Sequence, residues 1–212
     1  MFAYCQNNPI MLSDPNGNIS IFSVIAVAAA LTKVVKLVLK ESNKKNNSKV
    51  DANPDTTTKG KIINDQNGKT GDNFRYGAYP ASHNACEAIA VHNAKVLMGD
   101  DSSTLSETIY DFQSSGAMIG FGGLGSNPLA IGRVLNKEGI KYSRVGLNDM
   151  TEQGVYIMSF WNENPPWNGL HTVAVSYNGI NYIAYNLNGN NIEYNISLSD
   201  YSKRFICGYY LG

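Results

Sequence analysis

The sequence predicts an α+β domain in which one helix packs on an antiparallel sheet. Three stretches carry that expectation. "ACEAIAVHNAKVLM", from Ala85, is rich in alanine and long side chains, which favour helix. "HTVAVSYNGINYIAYNLNG", from His171, alternates in the manner of two strands around an Asn-Gly turn. "FICGYYLG" closes the sequence as an apolar strand.

The composition divides the 212 residues into four zones. Residues 1–18 are turn-rich. Residues 19–40, "ISIFSVIAVAAALTKVVKLVLK", are strongly apolar, with Lys33, Lys36 and Lys40 at helical spacing against Val34, Val35 and Val38. A spanning helix needs about 20 apolar residues. The segment therefore reads either as a helix buried against a larger protein or as one that contacts a membrane. Residues 41–75 are polar and read as a linker, having little apolar surface to offset the entropy of ordering. Residues 76–212 hold both tryptophans and most of the aromatic residues, and form the expected globular domain.

Lys plus Arg and Asp plus Glu both number 17, so no net field draws the chain onto nucleic acid. Three cysteines, Cys5, Cys86 and Cys207, without a CxxC pair do not suggest a disulfide scaffold. With three histidines in the chain, a zinc site is not expected, and no cofactor is implied. "GFGGLGS", residues 120–126, lacks the Lys-Ser/Thr of a phosphate loop and reads as a loop near a cleft. "WNENPPW", residues 161–167, reads as a substrate-binding rim or a rigid anchored loop.

Cys86 falls where a loop turns into helix. Asn84 is the expected N-cap, with Glu87 three residues on as in a capping box. Cys86 would then occupy the first turn, where orphan N–H groups and the positive dipole end stabilise a thiolate. A small buried residue is the plain alternative. A nucleophile needs a base. His92 lies six residues along the same helix, about 9 Å of rise and about 120° of rotation away, and cannot meet the sulfur. His83 precedes the helix and would be poorly held. His171, heading a strand, suits a base at a cleft edge.

The combination resembles the papain-like cysteine peptidases, in particular the bacteriocin-processing (double-glycine) group. The matching pieces are the Cys86 helix, "FGGLGSNPLAIGRVLNKEGIKYSRV" as loop, helix and strand, and the His171 hairpin with asparagine on its return strand. The resemblance spans residues 76–212. It implies a papain-like fold and a Cys-His-Asn triad in which His171 maintains Cys86 as thiolate and an asparagine orients the imidazole. It also implies acyl-transfer chemistry: proteolysis, deamidation or transamidation of a protein or peptide. A two-residue Asn178-Gly179 turn places Asn186 opposite His171, within about 4.5–5.5 Å between Cβ atoms. A four-residue loop, Asn178 to Asn181, would place Asn188 there; the turn preference favours Asn186. The group's oxyanion-hole glutamine, six residues before the cysteine, is replaced here by Pro80.

The first eighteen residues resemble the end of the core of Rhs/YD-repeat polymorphic toxins. The matching residues are Phe2, Tyr4, Asn7, Asn8, Pro9, Asp14, Pro15 and Gly17, with Asn18 where leucine is usual. That resemblance implies a C-terminal toxin secreted with an Rhs shell and delivered into a target bacterium's cytoplasm. It also implies a cognate immunity protein as partner. An inactive papain-like binding module, or a papain-fold toxin acting on nucleic acid, is the alternative.

Overall fold

The computed structural model describes residues 55–162, 169–187 and 191–212. The chain divides after Pro54, and residues 55–212 form one compact unit. The expectations for residues 1–18, 19–40 and Cys5 lie outside the described residues, as does most of "WNENPPW".

The unit is α+β. A short turn of helix, α1 (Lys69–Asp72), leads to a two-stranded ribbon, β1 (Arg75–Tyr76) and β2 (Tyr79–Pro80), and to α2 (Ala81–Asn84). Then come α3 (Cys86–Leu97), α4 (Leu105–Ser114) and α5 (Ile131–Lys137). A six-stranded antiparallel sheet completes the unit: β3 (Ser143–Val145), β4 (Gly154–Trp161), β5 (Leu170–Tyr177), β6 (Tyr182–Tyr185), β7 (Ile192–Tyr194) and β8 (Phe205–Tyr210). Its order is β3-β8-β4-β5-β6-β7, so the terminal strand lies inside the sheet.

Both faces of the sheet are covered. Ile157, Ala174 and Tyr209 join Ile89, Phe112, Ile131 and Leu135 of the helices in one core. Tyr156, Met158, Val173 and Val175 pack with Met150 and Tyr201 in a second core on the other face. This is the two-residue alternation of a strand buried on both sides. The core helix α3 rests mainly on β5, and its buried side chains run from Cys86 to Ala94.

Residues 55–75 are not a linker. Thr58, Ile63 and Gln66 are buried. Asp55 accepts from Thr57 and Ser106 and bonds Thr58, whose hydroxyl accepts from the Leu105 N–H. Asn93 on α3 pairs with Ile63 as a strand would, accepting from its N–H and donating to its carbonyl, each at 2.8 Å. Polar side chains here replace sheet partners, which is why a low apolar content misleads.

The β5–β6 turn also departs from the two-residue expectation. Tyr177 pairs with Tyr182, so the loop spans Asn178–Asn181. Asn178 Oδ1 accepts from the N–H groups of Ile180 and Asn181, an Asx turn. Gly179 has φ 92°, whereas Asn178 stays outside the positive-φ region, so the type I′ turn does not form.

Candidate active site

Cys86 opens α3, as the sequence implies, but the cap differs. Asn84 ends α2 and donates from Nδ2 to Gly123 O at 2.8 Å. Ala85 is the N-cap, without a side-chain hydrogen bond. The four-residue α2 runs into α3 at Ala85, so the expected capping box does not form. Cys86 is 6% exposed and Glu87 2%. The thiol donates to Glu87 Oε2 at 3.4 Å. The N–H groups of Glu87 itself and of Ser126 face the Glu87 carboxylate. The Thr172 N–H on β5 faces the sulfur, which brings the His171 strand against the start of α3.

His171 lies near the start of β5, opposite Phe160 of β4, whose ring meets the imidazole edge-on at 5.9 Å between centroids. Nε2 donates to the main-chain carbonyl of Asn186 at 2.7 Å. A carbonyl only accepts, so in the neutral ring the proton sits on Nε2 and Nδ1 is the acceptor.

Asn186 meets His171, but through its backbone carbonyl and not through the side chain or the two-residue register expected. Pairing between β5 and β6 ends at Ala174–Tyr185, and Asn186 takes φ 64°. That left-handed step turns its carbonyl toward the ring. Its side chain is 1% exposed and belongs to another network. Oδ1 accepts from the Gln66 N–H at 3.3 Å and Nδ2 donates to Gln66 Oε1 at 2.9 Å. The Asn186 N–H donates to Asn64 Oδ1 at 3.0 Å. Asn188 lies outside the described residues.

Cys86, Glu87 and His171 line one pocket of about 590 Å³, with Gln66, Asn84 and Ser126 among the polar groups around them. The "GFGGLGS" loop forms one wall through Gly123, Leu124, Gly125 and Ser126, beside the cleft as expected. His83 also lines the pocket, stacked on Tyr79 with ring centroids 6.5 Å apart. His92 is elsewhere: Nε2 donates to Lys61 O at 2.8 Å and Nδ1 meets the Ser103 hydroxyl, a satisfied core histidine. Cys207 is buried in β8.

The electrostatics favour neutral groups. Burial pushes the Cys86 thiol well above its ordinary range, and the adjacent Glu87 carboxylate adds to this; the Thr172 N–H opposes it. Burial lowers His171, against the raising effect of its bond to Asn186. Both directions oppose the standing thiolate–imidazolium pair that the resemblance implies. Burial also raises Glu87, to about 7.

Two site residues carried weak sequence signals. Gln66 sits in a segment whose polarity reads as linker. Glu87 fits a capping box, which conceals its contact with the sulfur. Among the described residues, no group of three or more His, Cys, Asp or Glu is placed to hold a metal ion. Nor is any described helix long and apolar enough to cross a membrane. No family model and no curated protein matches the chain.

Proposed function

We propose that residues 55–212 are a papain-like cysteine hydrolase or acyl transferase, the effector of a polymorphic toxin acting on a protein of the target cell. One observation carries this reading: a cysteine at a helix start and a histidine with Nδ1 as its acceptor line the same pocket. The sulfur attacks an amide carbonyl as its proton passes to His171 Nδ1, and the imidazolium then protonates the leaving nitrogen. The Cys86 N–H at the start of α3 serves as the first oxyanion donor in this reading. We assign the second donor to Gln66, which lines the pocket with Cys86, since Pro80 has no side-chain donor. Its Nε2 spends one proton on Ser82 O at 3.4 Å and carries a second.

The lining of the pocket includes no lysine or arginine among the described residues, which gives a nucleic-acid substrate no support. A cognate immunity protein covering this pocket would bury about 1,200–2,000 Å². The test is expression of the full chain in bacteria. Growth inhibition is expected for the wild type and its loss for folded Cys86→Ala and His171→Ala variants. Equal toxicity of folded Cys86→Ala would instead favour a binding module.

A further inference from the structure

Glu87 is the single carboxylate among the described residues of the pocket lining, and it sits against the nucleophile. The carboxyl faces a first-turn N–H of α3 and the Ser126 loop, but it forms no ion pair among the described residues, and a buried carboxyl beside a sulfur carries a desolvation cost. Its place is tightly defined. Oε2 accepts from the Cys86 thiol, and the N–H groups of Glu87 itself and of Ser126 face the carboxyl. A Cβ on Gly125 would stand 3.6 Å from Oε2, so the loop wall closes over the acid.

We propose that Glu87 is a further catalytic residue whose proton switches the nucleophile: as the neutral acid it donates a hydrogen bond to the Cys86 thiolate, and as the carboxylate it holds the sulfur protonated. The proposal rests on the cysteine-hydrolase reading. In the active form the Sγ proton moves to His171 Nδ1, and the Glu87 O–H turns to the sulfur without leaving Glu87. In the inactive form the carboxylate accepts a hydrogen bond from the thiol, whose proton stays on sulfur, and its charge opposes a thiolate beside it. The other titratable groups facing Glu87 are Tyr76 of β1 and Cys207 of β8, with His83 and His171 on the pocket wall. Tyr76 is held neutral by burial and bonded to the Ser126 hydroxyl, and burial raises Cys207. No lysine or arginine among the described lining residues neutralises the Glu87 carboxylate. Its upward shift to about 7 puts the switch at a pH that cells reach.

The experiment uses the full chain and no substrate. Thiolate absorbance near 240 nm is followed from about pH 5 to 9 and corrected with Cys86→Ala, alongside iodoacetamide labelling of Cys86 read by peptide mass. In the wild type the thiolate is a minority form whose growth with pH flattens as pH rises through about 7, because the ionised Glu87 carboxylate then holds the proton on sulfur. Glu87→Gln keeps an N–H donor at that place and cannot ionise, so the flattening disappears and labelling at pH 8 rises above the wild type, about tenfold for each unit by which the Cys86 pKa falls. An unchanged profile in folded Glu87→Gln overturns the proposal. A wild-type profile that climbs steadily with pH, as for an ordinary thiol, also overturns it, whether or not the variant folds. Absence of Cys86 labelling at every pH does so too. Failure of the hydrolase reading is distinguishable: the Glu87-dependent profile persists while Cys86→Ala remains as toxic as the wild type.

Discussion

His171 donates from Nε2 to the main-chain carbonyl of Asn186 at 2.7 Å, and the left-handed backbone of Asn186 aims that carbonyl. A side-chain orienter would depend on the amide. This arrangement depends on φ, and the amide instead ties the turn to Gln66. Asn186→Gly keeps the conformation and the carbonyl, whereas Asn186→Ala strains the backbone by about 1–2 kcal/mol and loses the same side-chain bonds. The glycine variant is expected to retain markedly more activity than the alanine variant. Paired kinetic assays and denaturant melts check this; equal losses would point to the amide itself.

The strap from Asp55 to Arg75 belongs to the folding unit. Without it, Ile63 no longer fills its site, worth about 1.5–3 kcal/mol, and Asn93 is left unsatisfied in the core, costing about 1–3 kcal/mol more. Residues 55–212 should unfold in one cooperative transition. Residues 76–212 should show a much lower midpoint or fail to fold. Comparable midpoints in urea would contradict the strap's role.

Glu87 makes stability depend on pH. Its folded pKa, about 7, lies above the ordinary 4.5, so the native state holds the proton more tightly than the unfolded chain. The stabilisation is complete below 4.5 and is lost as pH rises to about 7. A shift of that size corresponds to on the order of 3 kcal/mol. Glu87→Gln should flatten the stability profile between those values. Chemical denaturation at pH 4.5, 6 and 8 measures it; an unchanged slope would contradict the shift.

The buried histidines act in the opposite sense. Burial lowers both His92 and His171, so each is neutral in the native state and must charge on unfolding. Their contribution is present above the ordinary value of 6.5 and is lost as pH falls through the lowered values. His92→Ala removes two buried partners and should cost about 2–4 kcal/mol while leaving Cys86 labelling in the folded protein unchanged. His171→Ala should abolish activity at smaller cost in stability. Urea melts and Cys86 labelling of both variants separate the two roles.

Local patterning alone announced a helix from Ala85 with Cys86 in its first turn, the β5–β6 hairpin and the β8 strand, because helical propensity and two-residue alternation are written residue by residue. It also separated His92, too far round the helix, from His171, the base candidate. Tertiary structure decided the rest. The hairpin register turned on whether Asn178 entered the left-handed region or closed an Asx turn with its side chain, alternatives close in energy that the packed sheet resolves. The strap read as linker because its stabilisation comes from hydrogen bonds to Asn93, Ser106 and Asn186, partners far along the chain. Glu87 read as a cap because nothing local reveals that the Ser126 loop closes over it and turns its carboxyl to the sulfur. Such long-range contacts leave no periodic trace in composition, and only the folded chain brings them together.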